Sequence, residues 1–300
     1  MTPVLDDAAR GDETSRPGLL ARISHWAIVR FLIYVVVLIV STIATNPLIP
    51  PAPSPLHHPL LLAKNLASPI LLLALYALAV RWVERRPATE LDLRRGAPLF
   101  LIGGVVGVAL MGGVYLVLWG LGHVAFTAGT GLNGLGGGLA VAFAAAVLEE
   151  LLLRAVLFRL LEEATGTTIA VIVSAIVFGL LHGLNPGATP LSTAAIAIEA
   201  GVLLGLAYAL THNLWLAIGI HMAWNFAEGS LFGAAVSGGT QARSLARSVI
   251  SGSDWLSGGA FGPEASFVSV SACLMASLVI GALIVRARGW RPMSFRLALA

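Results

Sequence analysis

The chain alternates long apolar runs with short polar stretches. Runs of about 20 residues, the length that crosses a bilayer as a helix, occur at 26–45, 60–82, 98–121, 138–160, 167–183, 192–210, 213–231 and 267–286. Turn-forming sequences such as "PLIPPAPSP" (47–55) and "NPGATP" (185–190) separate some of them. The pattern predicts an all-α fold, a polytopic transmembrane helical bundle with about eight spans.

Composition supports the membrane interpretation. Of the 300 residues, 57% are hydrophobic and only 11% are charged, whereas a soluble domain carries about 25% charged residues. The formal net charge is +3, but the arginines flank apolar runs and form no patch interleaved with aromatic residues. We therefore expect the lipid bilayer, and no nucleic acid, as the surroundings of this protein. With one cysteine, Cys273, the chain can form no disulfide framework of its own.

Arginine is concentrated on one side of the predicted spans. The loops on that side contain Arg10, Arg16, Arg22, Arg85, Arg86, Arg94, Arg95, Arg159, Arg286, Arg288, Arg291 and Arg296. The opposite loops 46–59, 122–137 and 184–191 contain no Lys or Arg, and only the long segment 232–266 departs from the pattern, with Arg243 and Arg247. The positive-inside rule predicts a multi-pass protein of the cell membrane with both termini in the cytoplasm.

The fourth apolar run contains the charged sequence "EELLLR" (149–154). Ionisable groups inside a membrane helix are costly and are candidates for function. At 100° per residue Arg154 lies almost directly above Glu150, in the favourable i,i+4 order for an ion pair. Glu149 points about 100° away and has no cation in its own helix, so we expect it to be available for chemistry.

Two further runs place polar side chains one turn apart. Phe178 and His182 share a face of the fifth run, and His221 and Asn225 share a face of the seventh. If these groups meet Glu149 in one cavity, a carboxylate and an imidazole can activate a water while a second imidazole and an amide stabilise an oxyanion. Glu149, His182 and His221 are also the ligand types of a metal site, so a divalent metal such as zinc and a metal-free, glutamate-activated water remain alternatives.

The sequences "EELLLR", "FGLLH" and "HMAWN" match, in order, the motifs EExxxR, FxxxH and HxxxN. In this respect the chain resembles the CPBP family, the CAAX protease and bacteriocin-processing membrane proteins that include type II CAAX prenyl endopeptidases. The resemblance covers roughly residues 136–231. It implies a catalytic role for Glu149, His182, His221 and Asn225, and a supporting role for the other motif residues, Glu150, Arg154 and Phe178.

The resemblance suggests a division of the chain into five parts. We expect a polar N-terminal tail (1–25), N-terminal transmembrane helices (26–135), a catalytic core (136–231), a loop (232–266), and a last transmembrane helix with a basic tail (267–300). Glu199 and Glu228 are two further acids within predicted spans. Each is expected either to line the cavity or to lie near an interface.

The leading hypothesis is an intramembrane endopeptidase that cleaves a membrane protein or peptide near the cytoplasmic leaflet. One alternative is a proton-coupled transporter, in which the same Glu and His side chains relay protons. Another is a non-catalytic immunity or scaffold protein with the family fold. The sequence identifies neither the substrate nor the oligomeric state.

Overall fold

The computed structural model describes residues 27–45, 57–240, 243–287 and 289–293. The expectations for the polar tail 1–25, and for Arg288 and Arg296 near the C-terminus, lie outside the described residues. All seven motif residues lie within them.

The described helices form eight rods. The bounds are α1, Ala27–Thr45; α2, His57–Ala79, extended by a π-helical turn Val80–Glu84; α3, Leu93–Gly120; α4, Leu135–Glu150, continued by the π-helix Leu151–Phe158 and by α5, Arg159–Thr165; α6, Thr167–His182; α7, Pro190–Ile196, continued by the π-helix Ala197–Val202 and by α8, Leu203–Thr211; α9, Leu214–Phe226, extended by the π-helical turn Ala227–Leu231; and, after the short α10, Asp254–Ser257, the last rod α11, Phe267–Ala287. Short 3₁₀ turns occupy Thr89–Leu91 and Pro263–Ala265.

Four helices among the described residues are long and apolar enough to cross a membrane, namely Pro59–Glu84, Leu93–Gly120, Pro190–Thr211 and Phe267–Ala287. Val29–Ile43 and Thr167–His182 are apolar but shorter. The predicted helical membrane bundle is therefore confirmed. The number of eight spans stays a prediction, because length and composition identify only half of that number.

The sequence did not predict a small antiparallel sheet. Strand β1, Val124–Ala128, pairs with β2, Ala246–Ile250, so that Val124 faces Ile250 and Ala128 faces Ala246. The sheet ties part of the long segment 232–266 to the connection between α3 and α4. This segment, which we treated as a loop, is thus anchored to the end of the bundle. We call this end, marked by β1 and β2, the sheet end.

The opposite end, where Arg85, Arg86, Arg94, Arg95 and Arg159 lie, is called the arginine end. Here an ion-pair cluster joins three rods, because Glu84 at the end of α2 contacts both Arg159 of α5, at 2.6 Å, and Arg30 of α1, at 3.6 Å. In the connection that follows α2, Arg86 Nη1 lies 2.8 Å from Glu90 Oε2. Burial acts to raise the pKa of Glu90, but hydrogen bonds from Arg86 and Tyr76 outweigh burial and hold that pKa below its usual value.

Glycines let α3 and α9 approach closely. A Cβ added at Gly107 would lie 2.4 Å from Ile220 O, and one added at Gly103 would lie 2.5 Å from Leu216 O. Both glycines are buried against α9. Such close packing is common at small residues between membrane helices. Three other glycines of α3 face open space: Gly104, Gly112 and Gly113.

Replacing Gly107 with alanine should destabilise the bundle. The added methyl group must push α9 away from α3, and such overpacking costs typically about 1–3 kcal/mol. Thermal unfolding in detergent would measure the loss. Gly104→Ala is the matched control, because its Cβ would meet nothing within 4 Å and alanine favours a helix. Equal melting temperatures for the two variants would contradict the prediction.

Candidate active site

The "EELLLR" sequence begins in α4 and ends in the π-helix that continues it. Arg154 Nη1 donates to Glu150 Oε1 at 3.1 Å, and both side chains are completely buried. Arg154 Nη2 also donates to the carbonyl oxygens of Ala200 and Gly201, at 3.0 and 3.3 Å. The predicted ion pair therefore forms, and Arg154 additionally attaches this rod to the rod of α7 and α8. π-Helical turns of this kind often occur at functional sites.

Phe178 is fully buried between the groups of the first and third motifs. Its ring stacks on His182, with centroids 4.5 Å apart and planes at 16°, and it meets His221 edge-on with centroids 6.1 Å apart. The guanidinium carbon of Arg154 lies 4.6 Å from the centroid of the Phe178 ring, a cation–π distance. Phe178 is therefore the packing element that holds both imidazoles and the arginine in one arrangement.

His182 is the last residue of α6, and the orientation of its ring follows from one contact. Its Nδ1 lies 2.9 Å from the carbonyl oxygen of Phe178. A carbonyl oxygen only accepts hydrogen bonds, so the proton of the neutral ring must be on Nδ1. The lone pair is then on Nε2, which lies 3.7 Å from Glu149 Oε2.

His221 is oriented by the other glutamate of the first motif. Its Nδ1 donates to Glu150 Oε1 at 2.9 Å, and its side chain is only 7% exposed. Its Nε2 then points to Glu149, with 3.8 Å between Nε2 and Oε2. Glu150 is therefore more than the partner of Arg154, because it also fixes the direction of the second imidazole. The helical periodicity of the sequence gave no sign of this contact between α4 and α9.

Glu149 carries the half-buried carboxylate of the site, and its Oε2 atom is itself buried. Its side chain is 31% exposed, whereas that of Glu150 is fully buried. Within the described residues, Glu149 Oε2 has no hydrogen-bond partner. The structure places Glu149 Oε2 opposite Nε2 of His182 and Nε2 of His221.

The carboxylate opens into a cavity of about 820 Å³ that also reaches His182 and Asn225. Glycines form part of its wall, including Gly137, Gly138 and Gly229. A wall without side chains leaves room for an extended peptide backbone to come close. Asn225 thus borders the same space as the carboxylate and the first imidazole, although no hydrogen bond holds its amide within the described residues.

The side chains do not fit a metal site. Among the described residues, no group of three or more His, Cys, Asp or Glu side chains is arranged to hold a metal ion. Glu149 Oε2 faces the two imidazoles, at 3.7 Å from His182 Nε2 and 3.8 Å from His221 Nε2.

Three more acids are buried beside the site. Glu199 lines a cavity of about 30 Å³, room for one or two waters, together with His182, His221 and Glu264. Glu228 Oε1 accepts a hydrogen bond from the backbone N–H of Glu264 at 3.2 Å. Glu199 thus lines the smaller cavity, one of its two expected positions, whereas Glu228 is buried against Glu264 and lines neither the smaller nor the larger cavity. The sequence gave no signal for Glu264, because its burial depends on the folding of the segment 232–266.

The comparisons with known proteins agree with the motifs. The family model described as "Type II CAAX prenyl endopeptidase Rce1-like" matches residues 131–227. This range contains all seven motif residues. Neither the curated proteins nor the solved structures include a match to the chain. The predicted resemblance to the CAAX protease and bacteriocin-processing family is thus confirmed as a similarity over residues 131–227, the segment that supplies the motif residues.

Proposed function

We propose that the protein is an intramembrane endopeptidase in which Glu149 activates the water that hydrolyses a peptide bond. The observation that carries the proposal is the spacing of Glu149 Oε2 from the two imidazoles, 3.7 Å to His182 Nε2 and 3.8 Å to His221 Nε2. These separations are too long for direct hydrogen bonds, and a water can bridge polar groups at such a distance. The substrate is a membrane-associated protein or peptide.

Before the proposed reaction the water donates one hydrogen bond to Glu149 Oε2 and a second to Nε2 of His182. Both atoms are acceptors, since the proton of His182 is engaged with the Phe178 carbonyl. As the water oxygen attacks the carbonyl carbon, Glu149 takes its proton. The same carboxyl group then gives that proton to the peptide nitrogen as the C–N bond of the tetrahedral intermediate breaks, which releases the amine and leaves the water oxygen in the new carboxyl group.

The negative charge that develops on the carbonyl oxygen needs donors. We assign this role to His221 and Asn225. A ring protonated on both nitrogens donates from Nδ1 to Glu150 and from Nε2 to the oxyanion, while the Asn225 amide donates from Nδ2. Preorganised donors in a site screened from water are a large contribution to catalysis.

Glu149→Gln should remove most of the activity. Glutamine cannot accept the proton of the water, and a positioned general base typically contributes about 10²–10⁴-fold. Proteomics of membrane peptides, with wild type and variant side by side, would identify a substrate, and cleavage of that substrate in proteoliposomes would give the rate. Glu163→Gln, the same change on the same rod at a 41% exposed side chain, is the control. Unchanged cleavage by folded Glu149→Gln and His182→Ala variants would refute the proposal.

Variants of Glu150 and Arg154 should affect the stability of the protein and its cleavage rate differently. Arg154→Met leaves a buried carboxylate without its cation, and breaking a buried pair costs about 3–5 kcal/mol. In the double variant Glu150→Met/Arg154→Met no buried charge remains, so most of the stability should return. Activity should not return, because His221 has lost its acceptor. Thermal unfolding and cleavage rates would measure the two effects, and a double variant as active as wild type would disprove the positioning role of Glu150.

Chelation should leave activity intact. Since the described acids and imidazoles form no metal-binding group, cleavage by purified protein should continue at the same rate after treatment with a strong chelator and dialysis. Loss of activity that added zinc restores would show that a metal takes part. Melting curves with and without chelator would reveal any separate effect on folding.

The proton-coupled transporter remains the second candidate, and the buried carboxyls of Glu199, Glu228 and Glu264 favour it. Their side chains are at most 2% exposed, which is typical of acids that exchange protons inside a bundle. Sealed proteoliposomes that acidify in response to a solute gradient, without peptide cleavage, would support transport over hydrolysis. A non-catalytic scaffold protein would show neither transport nor peptide cleavage.

A further inference from the structure

The large cavity lies at one end of the bundle only. Its lining residues on α2 are Leu61, Leu62 and Asn65, all within the first nine residues of a helix that runs from the sheet end to Glu84 at the arginine end. On α6 and α9 the lining begins at His182 and Asn225, late in helices that start at the arginine end. Each element therefore contributes to the cavity from the part near the sheet end.

The opening of the cavity is formed by the segment that follows α9. Thr240 and Arg243 line the cavity and are exposed to solvent. The backbone N–H of Thr130 and the carbonyl of Ser244 form a hydrogen bond of 2.8 Å, which attaches this segment to the connection before α4. The cavity thus reaches the surface among the loops of the sheet end, with a cation, Arg243, at its mouth.

Toward the arginine end the bundle is closed. Directly below Glu149 the next layer consists of the fully buried Glu150–Arg154 pair and Leu151. Arg159, which contacts Glu84 at the arginine end, is ten residues beyond Glu149. Ten residues of helix span about 15 Å. A peptide that entered from the arginine end would therefore have to displace the buried ion pair and the packed side chains of this part of the bundle.

We propose that substrate reaches Glu149 from the sheet end, and that this is the non-cytoplasmic side of the membrane. The assignment of sides rests on the arginine bias, because short loops rich in arginine stay in the cytoplasm. The substrates are then peptide segments that have already crossed the membrane, such as exported polypeptides or the outer ends of membrane proteins. This inference rests on the proposed hydrolysis, and it replaces the expectation of cleavage near the cytoplasmic leaflet.

Cysteine labelling in intact cells tests the orientation. Thr240→Cys lies at the mouth of the cavity, and Thr89→Cys is a matched change at an exposed threonine of the arginine end. A membrane-impermeant maleimide should label Thr240→Cys in intact cells and Thr89→Cys only after permeabilisation. Wild type supplies the blank, because its Cys273 is 2% exposed. The reverse pattern, or labelling of both variants in intact cells, would overturn the inference.

A cysteine inside the cavity tests access to the site itself. Val236 lines the cavity and is half-buried. A small, positively charged methanethiosulfonate reagent added to intact cells should modify Val236→Cys, and modification should be lost when the same reagent is confined to the cytoplasmic side of inside-out vesicles. No reaction from outside, with Thr240→Cys labelled normally, would mean that the cavity is closed on this side and would also overturn the inference.

Both labelling measurements are independent of catalysis. We expect the same pattern when Glu149→Gln is added to each variant, because the entrance does not depend on the reacting carboxylate. If Glu149→Gln turned out to cleave normally, the proposed mechanism would fail while the labelling pattern persisted. A reversed labelling pattern in an enzyme that depends on Glu149 would refute the entry side alone.

Discussion

Charge buried in a bundle surrounded by lipid has to be neutralised, and the Glu150–Arg154 pair satisfies this constraint at the centre of the molecule. The arginine needs the carboxylate at 3.1 Å and the carbonyl oxygens of Ala200 and Gly201 to replace the water it has lost. These bonds tie two rods together. The Glu150 carboxylate also accepts a hydrogen bond from His221 Nδ1. The group that neutralises Arg154 therefore also positions an imidazole of the candidate site.

The same constraint explains the difference between two adjacent glutamates. Glu150 faces the interior, where its charge is compensated, while Glu149 faces the cavity, where water can solvate it. Consecutive helix positions differ by about 100°, which is enough to place one carboxylate in the packed layer and the other in the wet space. Phe178 packs beside this charged layer, with its ring near Arg154 and stacked on His182, so it also helps to orient the first imidazole.

The close approach of the backbones of α3 and α9 also supports this arrangement. α9 carries His221 and Asn225, and its position is set by the contact of its backbone with Gly103 and Gly107. Beyond α9 the segment 232–266 folds back over the bundle through β2 and brings Glu264 next to Glu228. The part of the chain with the least regular sequence thus forms the mouth of the cavity and one wall of the smaller buried pocket.

Local patterns in the amino-acid sequence were sufficient for the helical membrane bundle, the Glu150–Arg154 pair and the family resemblance. Apolar runs and i,i+4 spacings act between near neighbours in the chain, and they persist in any compact packing of the helices. Residue order carried no signal for the bond between Glu150 and His221, the pairing of β1 with β2, the burial of Glu264, or the end at which the cavity opens. Those features depend on contacts between residues far apart in the chain, and only the packing of the complete set of helices determines which distant side chains meet.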